Sequence, residues 1–477
     1  MKFDVRKLYK ILPVMMRQRV DGSPRNMKAM TCFRHRNRLP ERPRLFRRAD
    51  NSWQRFSGLF MVMKIVVLGL VFLNGCHSSA VLMQDTTSPR RIMINPLESG
   101  NTGVAITWRN ALDVQDNFVQ FGIAHPHPLN DLSGFRRQKA DSRLDTINYK
   151  GTTAVYKSFR TNISDLQPGQ EYLYRVGSDS KGWSEWIQFD LPEAHPDSAL
   201  TFIYLGDPQN DLKSQWSRTV RQAYATAPDA SFLLYAGDLV NRGYNDREWR
   251  DWYEAGDFIH RMIPSIMTPG NHEYEYPDLT PLWRTNFTFP GNGPEGYGEL
   301  YGACYYIDYP AVRVISLDGT TSEKDEHLRS VQAEWLEKVL KNTDKKWTVL
   351  TLHQPFYSTK ETRDNPQIRD AYRSLIEQHG VDIVLQGHDH AYGRGMLDEG
   401  ARRPGRTGIM YVVSVSGPKM YEIGEGKNWI QQQRGNTQLY QVVTIRDNQL
   451  NFKSYTATGE QSDEFTLKKT PQGNVLQ

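Results

Sequence analysis

Residues 200–209, LTFIYLGDPQ, and residues 231–241, SFLLYAGDLVN, share one pattern, in which an apolar run is followed by Gly-Asp. Similar apolar runs occupy residues 312–317, 347–352, 381–385 and 410–415. Long connections separate the runs, and residues 212–226, 326–342 and 368–379 are patterned as helices. Continuous apolar strands that alternate with helices predict parallel βαβ units in an α/β fold, with the sheet covered on both faces. Residues 440–468 return to strand patterns and are predicted to finish a second sheet.

The segment before this region has a different pattern. Between Ile92 and Leu191, short β-like runs alternate with turn signals and no helix is indicated, which is typical of an antiparallel sandwich. Within it, residues 166–176, LQPGQEYLYRV, resemble the turn and following strand of fibronectin type III domains, where a tyrosine hydroxyl caps the corner. The chain of 477 residues is therefore predicted to hold a fibronectin III-like sandwich at 91–195 and a larger domain at 196–470.

Charge is unevenly distributed along the chain. Residues 1–60 hold 16 Lys and Arg residues against four acidic residues, whereas the formal charge of the whole chain is only +5. The remainder is therefore net negative, which argues against a partner bound through a nucleic-acid backbone. We expect no nucleic-acid partner.

Residues 61–76, MVMKIVVLGLVFLNGC, resemble the signal peptide of bacterial lipoproteins, because a short apolar run ends at Leu73-Asn74-Gly75-Cys76. The resemblance implies cleavage after a signal at 61–75, a lipid on Cys76, a tether at 77–90, and anchorage in a bacterial cell envelope, in the periplasm or at the outer-membrane surface. A plain cleaved signal and a buried apolar segment are the alternatives. Residues 1–60 form a doubtful basic extension, with translation starting at Met61 or Met63, or else a basic cytoplasmic arm.

Five polar segments follow the predicted strands of the larger domain. They are Gly206-Asp207-Pro208-Gln209, Gly237–Asn241, Gly270–Glu273, His353-Gln354-Pro355 and Gly387-His388-Asp389-His390. Open α/β sheets place their sites at the carboxyl ends of strands, so we expect these segments to meet at one rim. Carboxylate, carboxamide and imidazole ligands suit Zn, Mn or Fe, and the absence of thiolates from the set argues against a structural zinc site.

This ordered set resembles the calcineurin-like metallophosphoesterase superfamily, and with the preceding sandwich it is most similar to purple acid phosphatases. The resemblance implies two metal ions, with Asp207 and His390 on the first metal and Asp238 bridging both. It implies that Asn271, His353 and His388 hold the second metal. It also implies that a metal-bound hydroxide attacks a phosphate monoester while His272 contacts the phosphate and protonates the leaving oxygen, so that Asp238 and His272 are the catalytic pair.

The sequence departs from the patterns of these families in three ways. The tyrosine that colours those enzymes is replaced by Asn241, a candidate ligand here, so we expect a colourless enzyme. Gln209 stands where other members of the superfamily have histidine, and its carboxamide could bind the first metal or a water on it. No histidine follows His353-Gln354-Pro355 closely, and Tyr357, Lys360 and Arg363 are the candidate phosphate contacts, with solvated loop charges as the alternative.

Two other functions remain open from the sequence. The same metal site would serve a phosphodiesterase or nucleotidase. A non-catalytic envelope protein that binds a glycan or protein through the sandwich is the second alternative.

Overall fold

The computed structural model describes residues 88–397 and 406–477. The predictions for the basic extension, the signal segment, Cys76 and nearly all of the tether lie outside these residues. In the part of the chain that is described, no helix combines the length and the apolar character needed to cross a bilayer.

The N-terminal region is a sandwich of two antiparallel sheets, which confirms the prediction of a β-sandwich there. The first sheet contains, in spatial order, β1 (Arg90–Pro96), β2 (Val104–Asn110), β6 (Thr152–Ile163) and β5 (Asp141–Tyr149). The second contains β4 (Arg136–Lys139), β3 (Phe118–Ile123), β7 (Glu171–Ser178) and β8 (Gly182–Trp183), with β9 (Ile187–Asp190) also paired to β7.

Alternating side chains from both sheets form the core of the sandwich. Trp108 of β2 is fully buried and its ring stacks on that of Phe159, with centroids 5.9 Å apart. At the predicted corner, the backbone N–H of Gln167 donates to the Tyr172 hydroxyl at 2.8 Å. The sequence pattern missed β4 and β5, because β4 is an exposed polar tetrapeptide and β5 buries only two of its nine residues.

Two seven-stranded mixed sheets form the larger region. The first contains, in spatial order, β12 (Ser265–Met267), β11 (Phe232–Tyr235), β10 (Leu200–Leu205), β22 (Leu439–Arg446), β23 (Gln449–Thr456), β24 (Gln461–Thr470) and β25 (Gly473–Leu476). The second contains β15 (Tyr305–Asp308), β16 (Val312–Ser316), β17 (Trp347–Thr351), β18 (Ile383–Gln386), β20 (Ile409–Val413), β19 (Tyr392–Leu397) and β21 (Gln432–Arg434). A two-stranded hairpin pairs β13 (Tyr274–Glu275) with β14 (Asp278–Leu279).

Helices connect the parallel strands. They are α1 (Ser217–Thr226), α2 (Asp246–Gly256), α3 (Phe258–Met262), α4 (Pro281–Asn286), α5 (Gly319–Lys324), α6 (Glu326–Lys341) and α7 (Pro366–Gln378), joined by a π-helical turn at Leu212–Trp216 and 3-10 turns at Asn271–Glu273 and Gly298–Leu300. Strands β10, β11 and β12 run parallel, as do β16, β17, β18 and β20. The predicted βαβ architecture is therefore confirmed.

The central strands are apolar on both faces because each face has its own cover. In β16, Val314 belongs to the core shared by the two sheets, while Ile315 belongs to the core beneath α6 and α7. The same alternation separates Val349 from Leu350 in β17. A strand covered on both sides reads as a continuous hydrophobic run, which is why these strands were visible in the sequence.

A buried ion network joins the sandwich to the larger region. Arg91 of β1 and Arg109 of β2 both donate to Oδ1 of Asp246, at 2.6 and 2.7 Å, at the start of α2. Arg109 also donates to Oδ1 of Asn286 at 2.8 Å. Burial would raise the pKa of Asp246, but the two guanidinium groups hold it well below its usual range. The junction is therefore a charged contact that is largely buried.

We predict that Asp246→Asn destabilises the protein by about 3 kcal/mol, because it leaves two largely buried guanidinium groups without their counter-ion. Chemical denaturation at pH 7 measures this loss. Glu254→Gln is the matched control on the same helix, since its ion pairs with Lys213 and Arg250 are exposed and worth about 0.5 kcal/mol.

The contact of Asp246 with Arg91 and Arg109 also predicts how the stability of the protein depends on pH. A carboxyl group whose pKa is lowered on folding stabilises the folded state above the unfolded pKa, about 4, and this stabilisation is lost as the pH falls further. Asp246→Asn should therefore flatten the decline in unfolding free energy below pH 4. Equal stability of the variant and wild type at pH 7 would contradict the assignment.

Candidate metal centre

The five polar segments of the sequence converge at the carboxyl ends of the parallel strands. Asp207 follows β10, Asp238 follows β11, and His353 follows β17 of the opposite sheet. His388 and His390 follow β18. Two groups of ligand atoms result, each with all its atoms within 4.8 Å of one another: Asp238 with His353 and His388, and Asp207 with Asp238 and His390. Asp238 is common to both groups.

Hydrogen bonds to backbone carbonyl groups fix two of the imidazole rings. Nδ1–H of His353 donates to the Ala236 carbonyl at 2.8 Å, and Nδ1–H of His390 donates to the Lys419 carbonyl at 2.9 Å. Each Nε2 then faces the cage, the space enclosed by Asp207, Asp238, His353, His388 and His390. Nε2 of His353 lies 3.1 Å from Oδ2 of Asp238. Such carbonyl partners are typical of metal-binding histidines, because they fix the tautomer and the ring orientation.

Glycine residues leave room for the carboxylates where the backbone passes close to them. A Cβ atom at Gly387 would lie 2.6 Å from Oδ2 of Asp207, and one at Gly270 would collide with the carboxylate of Asp238. Asp207 also accepts the backbone N–H of His388 at 2.7 Å. The glycines before the ligands are therefore required by space.

Two buried oxygens in the cage test whether the residues fit metal ions. Oδ1 of Asn271 and Oε1 of Gln209 have no hydrogen-bond partner. Nε2 of Gln209 lies 2.7 Å from Oδ2 of Asp238 and 3.2 Å from Nε2 of His390, so the carboxamide occupies the Asp207 side of the cage. Unpartnered buried oxygens beside inward-facing imidazole nitrogens are costly without cations. The donor set therefore fits two metal ions.

The electrostatics of the cage agree with this fit. Burial raises the pKa of Asp207 to about 8. Burial also lowers the pKa of His390 to about 3, which keeps its imidazole neutral at pH 7. Burial alone would lower the pKa of His353, but the carboxylate of Asp238 outweighs it and raises the pKa to about 9. Crowded carboxylates of this kind are relieved by bound cations.

His272 lies at the edge of the cage with a fixed orientation. Its Nδ1–H donates to the Asn241 carbonyl at 2.7 Å, and its backbone N–H donates to Oδ1 of Asp238 at 2.9 Å. Nε2 is 3.9 Å from Oδ2 of Asp238, and the side chain is 27% exposed. The ring is therefore accessible to a substrate next to the shared carboxylate.

Glu273 is a supporting residue that the sequence reasoning missed. It is fully buried, and its carboxylate accepts backbone N–H groups from Asp238 at 2.9 Å, Gly270 at 2.7 Å and Val240 at 3.3 Å. It thus ties the loop that carries Asp238 to the turn that carries Asn271. Burial raises its pKa to about 8. In the sequence, the only signal of this role is the position of Glu273 directly after Asn271-His272.

Asp389 and Arg363 form a second support. Oδ2 of Asp389 accepts the Ser358 hydroxyl at 2.8 Å and the Thr359 N–H at 2.6 Å, while its Oδ1 accepts Nη1–H of Arg363 at 2.6 Å. The same Nη1 donates to the His388 carbonyl at 2.8 Å. Asp389 is fully buried. Arg363 braces the histidine loop, and a phosphate contact by it stays a prediction.

Tyr357 and Asn241 are two further candidates from the sequence. The Tyr357 ring packs against Tyr411 and Trp429 in the core beneath α6 and α7, which assigns it to packing rather than to the substrate rim. Asn241 holds His272 through its carbonyl, and the residue lines a neighbouring cavity of about 530 Å³. Metal binding by the Asn241 side chain stays a prediction.

Comparison with known proteins agrees with this geometry. Residues 200–392 match the model of the calcineurin-like phosphoesterase family, and residues 89–191 match that of the purple acid phosphatase N-terminal domain. The chain carries both of these domains. Their order along the chain is the one expected from the sequence resemblance.

Relatives of similar length include two plant enzymes. The chain is 26% identical over 361 residues to the Fe(3+)-Zn(2+) purple acid phosphatase 12 of Arabidopsis thaliana, covering 72% of each chain. It is 24% identical over 363 residues to a phosphoenolpyruvate phosphatase of Allium cepa, covering 72% of this chain and 70% of the relative. The fold is similar to that of a purple acid phosphatase from yellow lupin seeds, with a TM-score of 0.66, 18% identity, and coverage of 80% of this chain and 74% of the other.

We predict that Glu273→Gln weakens metal binding by about tenfold to a hundredfold, as loss of a supporting hydrogen-bond partner does at other metal sites. In the variant, the side-chain NH₂ would face a backbone N–H group that in the wild type donates to a carboxylate oxygen of Glu273. Calorimetric titration of metal-depleted protein with Zn²⁺ measures the effect, and Glu275→Gln, exposed two residues away, is the control. Unchanged affinity in Glu273→Gln would remove the supporting role.

Proposed function

We propose that this chain is a metal-dependent phosphatase that hydrolyses phosphate monoesters at a two-metal site. The observation that carries the proposal is the sharing of Asp238 by two groups of metal-binding side chains. Asp207, His390 and Gln209 would hold one ion, and Asn271, His353 and His388 would hold the other, with Asp238 between them. Bound cations would acidify a water molecule and offset the charge of the phosphoryl group.

The chain's own residues supply positioning and proton transfer. The Asn241 carbonyl keeps the Nδ1 proton of His272, so Nε2 is the atom that faces the substrate. A proton held at Nε2 can pass to the leaving oxygen, which is the role expected of a general acid. Glu273 and the Asp389–Arg363 pair hold the loops on which this alignment depends. The reaction needs no covalent enzyme intermediate.

Carboxylate, carboxamide and imidazole ligands suit Zn, Mn and Fe, and these are the metal ions that we expect. Asn241 stands three residues after Asp238, where purple acid phosphatases carry the tyrosine that gives colour. We therefore predict that the enzyme is colourless. A visible absorption spectrum of the pure protein checks this prediction.

We also propose that Cys76 carries a lipid and anchors the chain in a bacterial cell envelope. The support is the apolar run at residues 65–73 followed by Asn74-Gly75-Cys76. Cys304 is fully buried and its thiol donates to Oε1 of Gln332, so it offers no competing site. Labelling with a palmitate analogue should mark the wild type but not Cys76→Ser, and equal labelling would refute the anchor.

A substrate and metal panel tests the proposed function. Metal-depleted protein is restored in turn with Zn, Mn, Fe and Mg and assayed on p-nitrophenyl phosphate and its bis ester. We expect restored activity with faster cleavage of the monoester. Faster cleavage of the diester would favour a phosphodiesterase instead. Cleavage of neither compound with any metal would contradict an enzyme and favour an envelope binding protein.

A second prediction concerns His272. Its replacement by Ala should slow hydrolysis of an alkyl phosphate by about a hundredfold or more, because an alkoxide needs a proton as it leaves. The loss on p-nitrophenyl phosphate should be clearly smaller, since p-nitrophenolate leaves without one. Steady-state kcat/KM on both substrates measures the difference. Equal losses on the two would remove His272 as the acid.

A further inference from the structure

Two lysines without a carboxylate partner lie around one tyrosine ring beside the cage. Nζ of Lys360 is 4.3 Å from the centroid of the Tyr421 ring, and Nζ of Lys419 is 5.4 Å from it. All three residues are partly buried. Within residues 88–397 and 406–477, no carboxylate oxygen lies within ion-pair distance of either amine. They therefore differ from ordinary solvated surface lysines.

Backbone hydrogen bonds hold this group against a metal-binding residue. The Lys419 carbonyl accepts Nδ1–H of His390, and the Tyr421 N–H donates to the His390 carbonyl at 3.1 Å. The rings of His390 and Tyr421 have centroids 4.7 Å apart. The Gly424 N–H donates to the Thr359 carbonyl at 2.8 Å, which ties the Tyr421 loop to the segment that carries Lys360. The backbone positions of both lysines relative to His390 are thus set by the fold.

In the described part of the chain, the two lysines and the tyrosine ring lack a negative charge that would balance the ammonium groups. Two ammonium groups around the same ring repel each other, and partial burial removes part of the water that would screen them. The ring face offsets some of this charge by cation–π attraction. An anion that contacts both lysines would offset this repulsion and accept hydrogen bonds from their amines.

The cations of the cavity beside Asn241 already have acidic partners. The cavity that contains Asn210 and Asn241 includes Lys213 and Arg242, but Lys213 pairs with Glu254 and Arg242 lies 3.7 Å from Glu248. Cations that already have acidic partners attract a further anion weakly. Among these described residues, the lysines on the His390 side are therefore the stronger candidates for recognising an additional negative charge.

We propose that Lys360, Lys419 and Tyr421 form a second anion subsite, which binds a carboxylate or a further phosphate on the substrate while the cage holds the reacting phosphoryl group. The inference rests on the proposed phosphatase function and narrows its substrate class. The preferred substrates are phosphate monoesters that carry another anionic group. Simple neutral alcohol phosphates are poorer substrates.

Two matched substrate pairs test the subsite. 3-Phosphoglycerate differs from glycerol 3-phosphate by a carboxylate, and fructose 1,6-bisphosphate differs from fructose 6-phosphate by a phosphate. The readout is the ratio of kcat/KM within each pair, measured with the metal-loaded full chain. The wild type should prefer the doubly anionic member of at least one pair, and the pair that shows the preference identifies whether carboxylate or phosphate is bound.

The double variant Lys360→Met/Lys419→Met should lower the preferred ratio by about tenfold, the loss expected for charge-assisted hydrogen bonds. Lys453→Met, an exposed lysine on β23, is the control for net charge and should leave the ratio unchanged. Thermal melting establishes that the variants are folded. If the double variant does not fold, the test uses the wild type. Raising the ionic strength must then reduce the ratio of kcat/KM within the preferred substrate pair.

The outcomes separate the two levels of the proposal. Absence of activity on every substrate, including p-nitrophenyl phosphate, overturns the phosphatase function and the subsite with it. Activity on p-nitrophenyl phosphate without a preference in either pair overturns the subsite alone. A preference that survives both lysine substitutions, or that does not respond to salt, also overturns it.

Discussion

The carboxylate of Asp238 is the interaction on which the site depends. It is the one side chain common to both groups of candidate metal ligands among the described residues, and it lies where the carboxyl ends of strands from two different sheets meet. Asp207 and Asp238 come from the first sheet, whereas His353 and His388 come from the second. A shared anion at that meeting point requires the two sheets to keep a fixed distance, which the core between them provides.

Backbone strain is concentrated at this point. Asp207, Asp238, His388 and His390 all have positive φ angles, from 43° to 77°. Such conformations cost roughly 1 kcal/mol or more at each non-glycine residue and persist only where the surroundings enforce them. Glu273 enforces the turn at Asp238 through three backbone N–H groups, and Asp389 with Arg363 enforces the histidine loop. The strain directs the side chains of the four residues into one cage.

Much of this arrangement is visible in the sequence, because continuous apolar strands and the polar residues that follow them are local patterns. The order of the five segments and the sandwich before them could be predicted in the same way. The residues that support the cage could not be predicted in this way. Glu273 is one acidic residue among many, and the Asp389–Arg363 ion pair joins residues 26 positions apart. Lys419 and Tyr421 lie in a loop without a recognisable pattern, and their position beside His390 follows only from the folded chain. The Arg91–Asp246 contact spans 155 positions and has no local signal.

The most direct test of the central claim is the metal content of the purified chain. Wild-type protein and Asp238→Asn are each equilibrated with excess Zn²⁺, freed of unbound metal by gel filtration and analysed by mass spectrometry of the metal. If Asp238 bridges two cations, the wild type retains two per chain and the variant retains at most one. Two ions in both proteins, or none in the wild type, would contradict the account.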